Sequence, residues 1–191
     1  MDNSKQMTIR RNTKPIDILF QNITYTIKFG RFNSESKSIL KGLSGHFKSG
    51  ELTAIMGPSG AGKSSLLNIL TGFHEYGVEG IIQTTNQSNT KKKRLNGMRP
   101  KDSCYILQDD QLCPLFTVQE IMYIAADLKL GNTTSKKSKA FLIEDVLHTI
   151  GLLKVKDTRC GRLSGGQKKR LSIALELIDN PPVMFLDEPT T

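Results

Sequence analysis

The sequence predicts an α/β fold: a parallel-sheet core around a glycine-rich loop, with a helical insert over about Thr117 to Leu153. Three observations predict it. Apolar runs of strand length alternate with stretches whose apolar residues recur at helical spacing. One such run, Leu52 to Met56, leads straight into a glycine-rich segment and then a helix. Another, Val183 to Leu186, ends on two carboxylates.

Taken in order, residues 1–17 read as a polar, basic and flexible tail without an apolar signal core, and 18–191 as the folded domain. Ile18 to Phe29 alternates and is rich in β-branched residues, a strand. Gly30 to Lys37 reads as a polar loop, Ile39 to Phe47 as a second strand, and Ser49-Gly50 as a turn. After the Leu52 to Met56 strand, Leu66, Leu67, Ile69 and Leu70 mark a helix over Lys63 to Leu70, closed near Gly72. Gly77 to Gly97, with its Ile81-Ile82 run among polar residues, reads as a hairpin, and Ser103 to Leu107 as a strand. Thr117, with Glu120 three positions on, is a capping-box signature for a helix reaching about Leu130. Gly131 to Ser138 reads as a flexible basic linker. Phe141, Leu142, Val146, Leu147 and Ile150 predict a helix stopped by Gly151. Ser164 opens a further helix through Leu171, Ala174, Leu175 and Ile178. Asn180-Pro181-Pro182 ends it before the last strand.

Composition narrows the classes. No stretch approaches the roughly 18–20 uninterrupted apolar residues of a membrane-spanning helix. Cys104, Cys113 and Cys160 are too few and too scattered for a disulfide framework or a metal site. Asn22, Asn86 and Asn132 begin N-x-S/T triplets, which carry no meaning in a cytosolic chain. The net charge of +9 gathers in Lys91-Lys92-Lys93-Arg94 and Lys136-Lys137, without interleaved aromatic residues to stack on bases. Solvated loops, an anionic membrane surface and acidic partners all suit such runs. No nucleic-acid partner is expected.

Three segments carry chemistry. Gly57-Pro58-Ser59-Gly60-Ala61-Gly62-Lys63-Ser64 is a complete G-x-x-x-x-G-K-S phosphate loop. Its glycines let the backbone wrap a triphosphate with N–H groups pointing inward, and the following helix adds its positive end. Lys63 suits the β/γ-phosphates and Ser64 a Mg²⁺ ion. Val183 to Glu188 places Asp187 at the end of a buried strand, where it suits the Mg²⁺ shell, and Glu188 beside it as general base for an attacking water. Leu163-Ser164-Gly165-Gly166-Gln167 opens a helix, so its N–H donors form a second phosphate-receptive start about 100 residues after the first. A single site has no need for both. A head-to-tail pair uses both, each copy's second loop closing on the other's nucleotide. Gln108 ends the Tyr105 to Leu107 strand.

In this order, the phosphate loop, Gln108, the LSGGQ segment and the LDEP segment resemble the ATP-binding domain of ABC transporters over about Ile18 to Thr191. The wording AIMGPSGAGKSSLLNILTG (Ala54 to Gly72), CYILQDD (Cys104 to Asp110) and LSGGQKKRLSIALELIDNPPVMFLDEPTT (Leu163 to Thr191) is similar to the eukaryotic G subfamily, which includes eye-pigment and sterol half-transporters. The resemblance implies a P-loop NTPase core with an N-terminal antiparallel β subdomain and an inserted helical subdomain. It implies ATP and Mg²⁺ as cofactors. Gly57 to Ser65 would bind nucleotide, with Lys63 also catalytic. Ser64, Gln108 and Asp187 would stand at Mg²⁺, with Gln108 also sensing the γ-phosphate and coupling to the membrane domain. Ser164, Gly165, Gly166 and Gln167 would contact the partner's ATP, and Glu188 would activate water. The implied partners are a second ATP-binding domain, identical or different, and a membrane domain. The implied task is export of a lipid- or sterol-like substrate, with the ATP-binding domain on the cytosolic side of a membrane.

Fifty-six residues precede Gly57 and none could span a bilayer, so a fused membrane domain is expected C-terminal to this chain, the G-subfamily order. The family's D-loop (S-G-L-D type) and switch histidine fall beyond Thr191, and His46, His74 and His148 read as surface or packing residues. The fold is therefore expected to be incomplete at its C-terminus, and residues 1–191 alone to bind nucleotide weakly and not to sustain hydrolysis. Tyr25, Phe29 and Phe32 lie where an adenine-stacking aromatic is expected, and the sequence does not choose among them. A soluble ABC ATPase of translation or DNA maintenance and a truncated, non-catalytic product are the competing readings. A GTPase lacks support, because no N-K-x-D motif is present.

Overall fold

The computed structural model describes residues 15–29, 35–85, 98, 102–108 and 111–188. Its described elements are β1 (Ile18–Phe29), β2 (Glu35–Phe47), α1 (Lys63–Leu70), β3 (Val78–Thr84), β4 (Ser103–Ile106), α2 (Val118–Leu130), α3 (Lys136–Thr149), α4 (Gly165–Leu177) and β5 (Val183–Leu186). They fall into two compact units. A strand unit reaches to Tyr105 and takes in Pro182–Asp187; a helical unit holds Ile106–Pro181 and Glu188.

In the strand unit, β1 lies between β2 and β3, antiparallel to both, while β4 and β5 form a separate two-stranded parallel sheet. β1 keeps its apolar face inward through a bulge. Ile18 and Phe20 are buried, then Ile23 and Tyr25, so the inward set moves by one residue between Phe20 and Ile23. A one-residue shift would otherwise turn the second half of the strand inside out. Asn22 absorbs the extra residue at φ 51°, a left-handed conformation Asn tolerates. Across the ladder, Gly80 sits at φ 118°, where a Cβ would come within 2.7 Å of the Asn22 carbonyl and 2.8 Å of that of Gln21. The core of this unit joins these strands to Leu66, Leu67, Ile69 and Leu70 of α1 and to Phe185 of β5.

Four sequence expectations change here. Leu52 to Met56 is not a strand: Leu52 is 98% and Met56 89% exposed, and of this run Ile55 alone packs on the core. A strand's hydrogen bonds lie between neighbouring strands, and no described strand ladders to this run. β2 begins at Glu35, inside the expected loop, because Phe29 pairs with Glu35 and Lys28 with Ser36 on the polar edge of the sheet. Ile81 and Ile82 pair with Gln21 and Phe20 of β1, so β3 is a sheet strand rather than half of a local hairpin. Residues 86–97, including Lys91 to Arg94, lie outside the described residues, as do residues 1–14 of the expected tail. Gly131 to Ser138 is not a linker either. It forms a 3-10 turn, Gly131–Thr133, and the first turn of α3, whose Ser135 hydroxyl accepts the Ser138 N–H at 3.1 Å.

The helical unit follows its apolar spacing in α2 and α4, but in α3 Phe141 is 54% exposed and Ile143 is buried in its place. Ile143 lies three and four residues before Val146 and Leu147 and so on their face, while Phe141 does not. Val118, Met122 and Ala126 of α2 share one face with Ile143, Val146 and Leu147 of α3 and Leu171 and Ala174 of α4. Fully burying one such large side chain contributes about 1.5–3 kcal/mol. The capping box of α2 forms: the Thr117 hydroxyl accepts the Glu120 N–H at 3.2 Å, and the Glu120 carboxylate accepts the Thr117 N–H at 2.8 Å. The bond from the Thr117 backbone, aided by its hydroxyl, holds the Glu120 carboxyl below the usual range. Lys129 ties the end of α2 to Glu176 at 2.7 Å and Asp179 at 3.3 Å.

The bulge makes a test of the strand unit. Gly80→Ala adds a Cβ against backbone oxygens at a φ that alanine avoids. It should destabilise the fold by about 1–3 kcal/mol, read as a lower denaturant midpoint. An unchanged midpoint would show that the Asn22 bulge does not oppose Gly80.

Candidate functional site

Every α-helix must satisfy its first N–H groups from outside its own ladder. Three helices satisfy one of them with a capping side chain: Thr117 for α2, Ser135 for α3 and Ser164 for α4. α1 does not. Its cap is Gly62, left-handed at φ 91°, with no side-chain cap bond. The first helical bond runs from the Leu66 N–H to the Gly62 carbonyl, so the N–H groups of Lys63, Ser64 and Ser65 take none within the helix. Glycine is favoured at position 62, because φ 91° is a conformation that residues with a side chain rarely adopt; a Cβ there would also press on the Leu40 side-chain tip at 2.9 Å. Gly57, Pro58, Ser59, Gly60 and Ala61 lie exposed before it, with a turn closed by the Ala61 N–H on the Pro58 carbonyl. The Lys63 ammonium donates to the carbonyls of Gly57 and Pro58, both at 3.0 Å, which curls the loop around its own cation. Chemically this is a cup of backbone donors with a lysine on its rim, a receptor for a polyphosphate.

Ser64 and Asp187, 123 residues apart in sequence, meet in the same unit: the Ser64 hydroxyl donates to one Asp187 carboxylate oxygen at 3.1 Å. The other oxygen accepts from the Tyr105 hydroxyl, also at 3.1 Å. Burial, then the negative charge of Asp187 and the bond to it, push the Tyr105 phenol well above its ordinary value. It therefore stays a donor. A hydroxyl and a carboxylate are the hard oxygen ligands Mg²⁺ prefers, and that ion characteristically takes one or two carboxylates and completes its shell with phosphates and water.

In the helical unit, the Gln108 amide donates to the Glu188 carboxylate at 2.7 Å. Glu188 holds φ 47°, where a non-glycine residue is uncommon and strain at a working site is typical. Here too the LSGGQ segment starts α4. Ser164, Gly165 and Gly166 are exposed, but not all of their donors face outward. Ser164 and Gln167 form a capping box: the Ser164 N–H donates to the Gln167 side-chain oxygen at 2.9 Å, and the Gln167 N–H to the Ser164 hydroxyl oxygen at 3.3 Å. The donors left are the N–H groups of Gly165 and Gly166, the Ser164 hydroxyl proton and the Gln167 side-chain NH₂.

The strand unit thus unites the phosphate loop, Lys63, Ser64 and Asp187, and the helical unit unites Gln108, Glu188 and the LSGGQ turn. Sequence reasoning missed Tyr105 and the buried Lys169, which donates to the carbonyls of Leu107 and Gln108. Their partners lie more than 60 residues away, and no local pattern marks them. Tyr25 is buried against His74, Phe29 is half exposed at the end of β1, and Phe32 lies outside the described residues. His46, His74 and His148 are all exposed.

A family model described as ABC transporter matches residues 40–191. The chain is 42% identical over 165 residues to ABC transporter G family member 1 of Petunia hybrida, covering 82% of this chain and 25% of that protein. It is 35% identical over 191 residues to G family member 17 of Arabidopsis thaliana, covering 93% and 28%. It is 36% identical over 198 residues to G family member 22 of Dictyostelium discoideum, covering 97% and 30%. The chain therefore spans between a quarter and a third of these relatives. Among solved structures, a dimeric post-hydrolysis state of an ATP-binding cassette bound to ADP and Pi superimposes with a TM-score of 0.71 at 30% identity, over 91% of this chain and 74% of that one.

The box on α4 yields a test. Ser164→Ala removes the side-chain cap and should cost about 1 kcal/mol, seen as an earlier loss of helical circular dichroism in denaturant. No change would mean that the box is not formed in solution.

Proposed function

This chain belongs to the ABC transporter family, and from that premise we propose that it is the ATP-binding and ATP-hydrolysing part of a G-family half-transporter. The observation that carries the proposal is the uncapped start of α1, whose three unbonded N–H groups stand beside the joined Ser64 and Asp187. In this reading, the backbone of Gly57 to Ser65 cradles the α- and β-phosphates, and Lys63 exchanges its loop carbonyls for β/γ-phosphate oxygens. Ser64 and Asp187 would hold Mg²⁺, with Gln108 contributing to its shell and sensing the γ-phosphate; the ion, when bound, would supply neutralisation of the charge on the phosphate oxygens. Glu188 takes a proton from the water that attacks the γ-phosphorus as the bond from that phosphorus to the β,γ-bridging oxygen breaks and ADP leaves, and Gln108 fixes one oxygen of that carboxylate meanwhile.

Two receptive helix starts in one chain support assembly with a second ATP-binding domain, each domain's Ser164, Gly165, Gly166 and Gln167 closing on the other's nucleotide. The capping box supports this reading: it holds the turn in shape and leaves the Gly165 and Gly166 N–H groups, the Ser164 hydroxyl and the Gln167 side-chain NH₂ for that contact. No helix among the described residues is long and apolar enough to cross a membrane. The half-transporter reading therefore assigns transport of a lipid- or sterol-like substrate to a membrane domain outside this sequence, with this part on the cytosolic face.

In the complete protein carrying this sequence, Glu188→Gln should keep ATP binding and lower steady-state phosphate release by about 10²–10⁴-fold, the usual worth of a general base. Lys63→Ala should lose nucleotide binding as well. Near-normal turnover in either variant would overturn the site assignment.

A further inference from the structure

Lys169 is a buried cation, with 5% of its surface exposed. It lies on α4, five residues after Ser164, about 7.5 Å along the helix at 1.5 Å per residue. Burying an ammonium is costly unless its donors are satisfied, and here they are used on main chain: the Leu107 carbonyl at 2.7 Å and that of Gln108 at 3.0 Å. These carbonyls stand just past the end of β4, where the chain leaves the sheet ladder and the Gln108 side chain turns to Glu188. All these groups belong to the helical unit.

We propose that Lys169 is a positioning residue for hydrolysis, pinning the Gln108 main chain to the signature helix so that the Gln108 amide holds the Glu188 carboxylate in place. The proposal rests on the ATPase reading above. Its physical content is a short rigid train: the helix start that receives the partner's nucleotide, one buried ammonium, the Gln108 backbone, and the amide on the general base. A small movement of α4 on closure is thereby delivered to the chain's own catalytic carboxylate. An ammonium suits this task because it is a compact point donor able to meet two adjacent carbonyls, whereas a guanidinium presents a wider planar fork.

The test is a double-mutant cycle in the complete protein, reading steady-state ATP hydrolysis and nucleotide affinity. Lys169→Met and Lys169→Gln should each lower kcat by about tenfold or more, with KM for ATP unchanged within about twofold, as expected for a group acting in the transition state only. Lys169→Arg, which keeps the charge, should recover part of the rate. In a Gln108→Ala background, the same Lys169 substitutions should change kcat by less than about twofold, because the group they act through is gone. Equal losses in both backgrounds, an unchanged kcat, or failure of all three variants to fold would make Lys169 a structural strut and overturn the proposal. Glu188→Gln, measured alongside, separates the two ideas. If it abolishes turnover while Lys169→Met does not, the ATPase reading stands and this one falls; if it retains turnover, the ATPase reading itself fails.

Discussion

The structure turns on an unsatisfied helix start. Backbone N–H groups at the beginning of a helix need an acceptor, and this chain supplies one from its own side chains for α2, α3 and α4 but not for α1. The left-handed Gly62 ends the preceding loop so that no side chain takes the cap position. The donors of Lys63, Ser64 and Ser65 are thereby reserved for something that is not part of the ladder, and the Lys63 ammonium reinforces the demand for an anion. The rest of the strand unit serves this arrangement. The apolar face of α1 is buried beneath β1 and β3, and β5 delivers Asp187 to Ser64.

Each unit also uses a buried or part-buried polar side chain to hold a carboxylate or its neighbour in position. In the strand unit that residue is Tyr105, whose phenol stays protonated and leaves Asp187 bonded through both oxygens. In the helical unit it is Lys169, acting on the backbone of Gln108. Such groups are tolerated inside a fold only when their hydrogen bonds are made, so they fix a single geometry. The same logic explains the LSGGQ turn. Its box spends the Ser164 and Gln167 N–H groups on rigidity and leaves the two glycine N–H groups outside the box.

What was legible in the sequence was local chemistry. Thr117 with Glu120 marked the start of α2, the apolar quartet in Lys63 to Leu70 gave α1 its bounds, and the glycine-rich loop announced its own ligand class. What was illegible depended on distant partners. Leu52 to Met56 has the composition of a buried strand, but a strand exists only through a neighbour, and this run is left irregular and exposed. Ile81 and Ile82 found their ladder on β1, some 60 residues earlier. The Gly131 to Ser138 stretch looked like a linker because its polar residues hid a helix cap, Ser135, whose effect depends on the turn that follows it. The bonds of Tyr105 and Lys169 follow from tertiary packing alone.

The central claim is that the free donors of α1 receive a polyphosphate, and amide hydrogen exchange measures those donors directly. With Mg²⁺ and ATP added, the amides of residues 57–65 should slow markedly, while those at the capped start of α2, residues 118–120, should exchange as before. Unchanged exchange over 57–65 at saturating nucleotide would contradict the account.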